Sequence, residues 1–207
     1  MATFVEVHPE NPQQRTVGQL VERIREGALV AFPTDSGYAL GGRLDDQAIK
    51  DRIRDIRRLD DRHHYTLLCR DFAQLGQLVL VDNRVFRAVK AATPGPYTFI
   101  LPATKEVPRR LLHSKKRTVG VRIPDNPLTL ALLDGLGDAM LCSTLLLPGE
   151  ETTPTFGWDV KEALDHAVDV VVDAGDDVVT EPTTVVDLSG PEPEVLRRGA
   201  GDPTPFE

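Results

Sequence analysis

Cysteine is nearly missing from the 207 residues, and the two present, Cys69 and Cys142, each sit inside an apolar stretch. Two isolated thiols build neither a disulfide framework nor a zinc site. Aromatic residues make up only 5% of the chain, too few rings for a surface that stacks on unpaired bases, so any nucleic-acid partner would be held through phosphates and duplex shape. No apolar run approaches 18 residues, and residues 1–10 show neither a basic n-region nor an apolar h-region. The expectation is a soluble, cytoplasmic protein with no membrane partner. The motifs G-x-x-x-x-G-K-[ST], G-x-G-x-x-G and G-x-S-x-G are all missing, so a phosphate site, if present, is not a P-loop. His63 and His64 are adjacent and cannot both face one metal from a helix, and no carboxylate pair stands at ligand spacing. They read as solvated loop histidines, with no metal site.

What is present is an uneven charge distribution. The chain carries a net −8, but residues 50–122 hold 17 basic and 7 acidic side chains, a net +10, while residues 123–207 hold 3 and 18, a net −15. A basic segment in an acidic protein is the footprint of a surface that meets phosphates, unless the acidic third folds back and neutralises it. Both readings stand on charge alone.

Apolar spacing places a strand near residues 4–7 and a helix over 12–26 ended by Gly27. A helix capped by Asp45 or Asp46 carries Ile49, Ile53 and Ile56 on its apolar face. Helices are also expected over 72–78, 82–92, 127–136 and around 160–164, and strands over 65–69, 97–101, 119–123, 140–147, 168–172, 183–188 and 194–196. The tail, 199–207, reads as extended. This alternation with a strand-rich finish predicts one α/β domain over residues 1–207 with a mixed sheet.

Residues 28–42 organise the chain. An apolar run stops at Pro33, which cannot extend a sheet ladder, and opens into Thr34, Asp35 and Ser36 before Gly37 and a second apolar run. This is a strand, a polar loop and a strand, either an ordinary turn or a site held on a rigid pair. Further hydroxyls and arginines stand near strand ends: Thr66, Thr98, Arg122, Ser143, Thr144, Thr183, Thr184 and Arg197. Such groups hold carboxylates and phosphates without supplying a nucleophile, and strand ends converge at one edge of an α/β sheet.

Phe32-Pro33-Thr34-Asp35-Ser36-Gly37-Tyr38, Pro94-Gly95-Pro96-Tyr97-Thr98-Phe99, Gly120-Val121-Arg122-Ile123-Pro124, Pro148-Gly149, Pro182-Thr183-Thr184-Val185-Val186-Asp187 and Arg197-Arg198-Gly199 follow one another in this order. With them the chain resembles the YrdC-like family of threonylcarbamoyl-adenylate synthases, and within it the YciO branch. The resemblance implies a twisted mixed α/β sheet flanked by helices with a large concave surface. It implies a nucleotidyltransferase that joins L-threonine, bicarbonate and ATP, with Mg²⁺, into threonylcarbamoyl-AMP and pyrophosphate, linked to tRNA modification. It also implies binding of tRNA or double-stranded RNA, which alone is the alternative role. By the same resemblance Arg57 is the catalytic cation, and Thr34, Tyr38, Thr66 and Thr144 contact the amino acid. Thr98, Arg122, Cys142, Ser143, Thr183, Thr184 and Arg197 hold the nucleotide. Arg54, Arg58, Arg62, Arg109, Arg110, Lys115, Lys116 and Arg117 form the basic RNA surface. Where the synthases carry Lys-x-Arg-Pro this chain has Arg57-Arg58-Leu59-Asp60, and where they carry Ser-x-Asn it has Thr144-Leu145-Leu146. Loss of two polar groups to Leu59 and Leu146 predicts a weakened or altered synthase.

Overall fold

Caps and apolar spacing account for the helices of the computed structural model, which describes every residue except 61, 62, 176, 177 and 179. In α1 (Gln14–Arg25) the buried side chains are Val17, Leu20, Val21 and Ile24, and Gly27 at φ 94° ends the helix. Aspartates open the next three helices by accepting from first-turn amides: Asp46 for α2 (Gln47–Arg57), Asp71 for α3 (Phe72–Leu78) and Asp82 for α4 (Asn83–Ala92). Asn126 and Pro127 open α5 (Pro127–Leu136), and α6 (Gly157–Leu164) follows a polar loop.

Among the described residues ten strands form one sheet. They are β1 (Thr3–Glu6), β2 (Val30–Thr34), β3 (Gly37–Arg43), β4 (Thr66–Leu68), β5 (Tyr97–Pro102), β6 (Thr118–Arg122), β7 (Met140–Thr144), β8 (Val170–Asp173), β9 (Thr184–Asp187) and β10 (Glu194–Arg197). The order is β1-β8-β2-β3-β7-β4-β6-β5-β9-β10. Four pairs are parallel, β1 with β8, β2 with β8, β4 with β6 and β5 with β9, and the others antiparallel. The sheet is therefore mixed and flanked by helices, as expected.

Alternation along the strands sends side chains to two cores. On one face α1 and α5 cover Val30, Phe32, Leu68 and Met140. On the other, Ile49, Ile53, Leu75, Val85 and Val89 pack on Ala31, Leu40, Leu67, Phe99, Val121 and Val186. Residues opposite each other in a ladder share a face, so the registers extend the α1/α5 face across the sheet. Thr66 lies opposite both Cys142 and Gly120, Leu68 opposite Arg122, Ile100 opposite Gly120, and Thr98 opposite Val185. Beyond the two helices that face thus carries threonines and arginines in place of an apolar stripe.

Three expectations need correction. Pro33 does not stop β2; it pairs with Tyr38, and because β8 pairs with β2 only at Val30 and Ala31, its missing N–H has no ladder bond to lose on that side. The apolar run after residue 140 leaves the ladder at Thr144, so Leu145 to Leu147 belong to a loop. The tail is not simply extended. A short 3₁₀ turn (Thr204–Phe206) buries Phe206 against Tyr97 and Phe99, whose rings lie 5.9 and 5.6 Å away. Thr184 explains the return of the chain, since its hydroxyl donates to Gly201 O at 2.5 Å and accepts from Gly199 N–H at 3.0 Å.

Candidate functional site

The β2–β3 connection is a two-residue hairpin that Thr34 ties together. Thr34 Oγ1 donates to Gly37 O at 2.7 Å and accepts from Ser36 N–H at 3.1 Å. Gly37 has φ 96°, which a side chain resists, and a Cβ there would collide with Thr153. Arg122 locks this turn from the centre of the sheet, donating through Nη1 to Ser36 Oγ at 2.6 Å and through Nη2 to Asp35, with which it forms a largely buried ion pair. Pairing of this kind fixes geometry more than it stabilises.

Over this floor lies a cavity of about 460 Å³ whose walls include Arg57, Thr66, Thr98, Ser143, Thr144, Leu146, Thr183 and Arg197. A narrower cleft beneath it is lined by Thr34, Ser36, Arg122 and Cys142 and shares Thr66, Thr98, Thr144 and Thr183 with the cavity, so the two are continuous. Three guanidinium groups converge here. Arg57, the last residue of α2, reaches Ser143 Oγ through Nη1 at 2.5 Å and Leu146 O through Nε at 3.4 Å. Arg197 donates to Thr183 O and Oγ1, both at 2.9 Å, and Thr183 Oγ1 lies 3.0 Å from Thr98 Oγ1. Burial pushes Arg57 and Arg197 below the ordinary arginine value; Arg197 lowers Arg57 further and Arg122 lowers Arg197. Cations arranged to repel one another around a polar cavity suit a polyanion. Burial lifts both cysteine thiols to about 12, so neither is a thiolate nucleophile near neutral pH. Among the described residues no group of three or more His, Cys, Asp or Glu is placed to hold a metal.

The structure sorts the candidate residues. Arg57, Thr34, Thr66, Thr98, Arg122, Cys142, Ser143, Thr144, Thr183 and Arg197 surround the cavity or its floor. Thr34, Thr66, Thr98, Arg122, Cys142 and Thr144 meet across one sheet face through the ladder registers, whereas Ser143, opposite Leu40, lies on the other face and meets Arg57 from the end of α2. Tyr38 borders the floor, but its ring packs in the opposite core with its hydroxyl 3.5 Å from Asp173; burial first, then Asp173, raises its pKa. Thr184 faces away, opposite Tyr97, and its hydroxyl is taken by the tail. The Thr184 hydroxyl is thus turned from the cavity, while Tyr38 meets the cleft only at its border.

The two histidines are loop residues, as expected, but only partly exposed. His63 Nε2 lies 3.5 Å from Ser143 Oγ and its ring meets Tyr65 edge-on at 5.4 Å, while His64 Nε2 is 3.3 Å from Thr118 Oγ1 and stacks on His113; both line the cavity. Burial, then Arg57, brings His63 down to about 4. Residues 151–153 also reach the cavity, and Thr153 Oγ1 is buried without a hydrogen-bond partner among the described residues. Neither feature has a spacing signal, because both come from loops.

The basic segment is partly neutralised by the acidic third, through Arg52–Asp169 at 2.6 Å, Arg70–Asp134 at 3.2 Å, Arg84–Glu192 at 3.5 Å and Lys116–Asp187 at 3.1 Å. Arg54 is paired with Asp51 and Asp55 on α2 and is not among the residues that line the cavity. Arg110 is half-buried and its carbonyl accepts from Lys50. Arg58, Arg109, Lys115 and Arg117 are exposed and form no ion pair among the described residues. Arg62 lies outside the described residues.

A family model described as "Telomere recombination", the Sua5/YciO/YrdC domain, matches residues 22–199. The chain belongs to the Sua5/YciO/YrdC family. It is 48% identical to the uncharacterized protein YciO of Escherichia coli K12 over the whole of both chains, and the crystal structure of E. coli YciO superposes with a TM-score of 0.97. A threonylcarbamoyl-AMP synthase of Pyrococcus abyssi is 31% identical over 85% of this chain and 52% of its own. The structure of P. abyssi Sua5 complexed with L-threonine is 27% identical, with a TM-score of 0.87 over 96% of this chain and 58% of that one.

Within the Sua5/YciO/YrdC family the two leucines of this chain now have different explanations. Leu146 lines the cavity. Leu59 does not: Arg58 takes the left-handed conformation at φ 51°, ψ 47°, Leu59 N–H returns to Arg54 O at 3.0 Å, and the leucine packs back on the core. This is the apolar residue that follows a left-handed helix stop.

Proposed function

We propose that this protein is a threonylcarbamoyl-AMP synthase-type enzyme, joining an amino acid of the threonine class, bicarbonate and ATP with release of pyrophosphate. The observation that supports it is the continuous cavity in which Arg57, Arg122 and Arg197 face hydroxyls with no activated nucleophile. Attack of a carbamate oxygen on the α-phosphate needs alignment and charge neutralisation, not a covalent intermediate on the protein. Thr98, Thr183, Arg197 and Arg122 would hold phosphate or ribose oxygens, Arg57 would neutralise charge as the carbamate meets the α-phosphate, and the Thr34, Thr66 and Thr144 wall would seat the amino acid. Mg²⁺ would enter as part of the substrate, chelated by the triphosphate and not by a cluster of protein carboxylates. With Leu146 in place of an amide, turnover is slow. Calorimetric titration with MgATP tests the reading: binding that Arg197→Ala weakens at least tenfold is expected, and no heat of binding with either protein would overturn it.

A second reading, RNA binding linked to tRNA modification, is favoured by the exposed Arg58, Arg109, Lys115 and Arg117, which form no ion pair among the described residues. Binding through phosphates requires affinity for a tRNA or an RNA duplex to fall steeply between about 50 and 200 mM salt.

A further inference from the structure

Joining an amino acid to bicarbonate releases a proton, and no residue carried over from the family pattern is placed to take it. Three proton-accepting side chains line the main cavity among the described residues, His63, His64 and Glu151, and of these His63 stands beside Arg57 and Ser143. His63 and Arg57 flank Ser143 from opposite sides, with Arg57 Nη1 donating to Ser143 Oγ at 2.5 Å and His63 Nε2 at 3.5 Å from the same oxygen. Arg57 occupies a lone pair of that oxygen, which leaves the single hydroxyl proton of Ser143 free to point at Nε2. The Tyr65 ring, edge-on at 5.4 Å, holds the imidazole in place.

We propose that His63 is the proton acceptor for carboxylation of the substrate amine, an inference that rests on the synthase reading. The substrate ammonium gives one proton to Ser143 Oγ as the Ser143 hydroxyl passes its own proton to His63 Nε2, leaving a neutral amine and an imidazolium. The amine lone pair then forms the N–C bond to bicarbonate, the C–O bond to its hydroxyl breaks, and that hydroxyl leaves as water with a second amine proton. The products are the N-carboxylate, water and the imidazolium, so atoms and charge balance. Ser143 relays the proton and also positions the base, since its hydroxyl fixes the imidazole against Arg57.

The surroundings match that role. Burial, then Arg57, His64 and Arg197, favour the free base, and among the described residues Asp60 opposes them. Glu151, on the loop before α6, lines the same cavity. At neutral pH the imidazole is therefore unprotonated, and the same burial and cations keep it a weak base until they are offset. A triphosphate against Arg57 and Arg197 offsets their repulsion, so nucleotide binding strengthens the base at the moment it is needed.

The test compares wild-type protein, His63→Asn and His63→Gln in pyrophosphate release with ATP, bicarbonate and L-threonine from pH 6 to 9.5. Titrations of ATP and threonine and unfolding midpoints of each protein accompany it. The expected result is near wild-type binding with kcat lower by about 10²-fold at pH 7, a deficit that shrinks towards pH 9.5 as the amine loses its proton unaided. Turnover within threefold of wild type at pH 7, or an equal deficit at every pH, overturns the assignment. If the wild type itself shows no threonine-dependent release, the synthase reading fails and the base with it; an active wild type with unchanged variants removes the base alone.

Discussion

Reversion of the two leucines to their synthase counterparts separates a cavity residue from a helix stop. Leu59 is partly buried behind α2, and removing a half-buried leucine from apolar contact costs about 1 kcal/mol. Leu59→Arg is therefore expected to lower stability by about 1–1.5 kcal/mol and leave turnover unchanged. Leu146 lines the cavity, with its carbonyl 3.4 Å from Arg57 Nε. An amide there adds a donor and an acceptor beside a guanidinium. A charge-assisted hydrogen bond to substrate is worth about 1.5–3 kcal/mol, so Leu146→Asn is expected to raise kcat/KM for threonine by about ten- to a hundredfold. Urea unfolding measures the first effect and steady-state pyrophosphate release the second. A rise in turnover for Leu59→Arg at unchanged stability, or no response to Leu146→Asn in a folded protein, would refute the placement of these side chains.

Acid sensitivity follows from His63, whose folded value of about 4 lies below the ordinary 6.5. Its contribution to stability is whole above pH 6.5 and declines as pH falls towards 4, a loss of about 2 kcal/mol between pH 7 and pH 5; His63→Asn flattens that part of the curve in urea unfolding at the two pH values. Gly37→Ala meets both the left-handed backbone and the Thr153 side chain, so a loss of about 2–3 kcal/mol is expected, and a variant as stable as wild type contradicts the hairpin geometry. Thr184→Val removes two of the hydrogen bonds that hold the tail. Hydrogen exchange at Gly199 and Phe206 is expected to quicken while exchange in β2 and β3 does not change.

Elements with strong periodicity or explicit caps were legible in the chain itself. The ranges expected at 72–78 and 127–136 coincide with α3 and α5, because an Asp or Asn cap and a terminal loop fix each end. Site residues on regular strands were legible too, since Thr66, Thr98 and Arg122 stand in β-forming runs. What was hidden depends on the third dimension. Which face Thr183 and Thr184 occupy turns on a ladder register that no local pattern encodes, and only Thr183 faces the cavity. His63 looked like a solvated loop residue because its partners, Arg57 and Ser143, are 6 and 80 positions away. The apparent loss at Leu59 likewise has a conformational cause at Arg58, and the tail could not be placed before Tyr97 and Phe99 were known to leave room for Phe206.

The most direct measurement is mass spectrometry of the adenylate formed when the protein is incubated with MgATP, L-threonine and ¹³C-bicarbonate. A threonylcarbamoyl-AMP carrying one ¹³C, formed only when threonine and bicarbonate are both present and lost in Arg57→Ala, is the predicted result. ATP left intact, or cleaved without a labelled adenylate, would contradict the account.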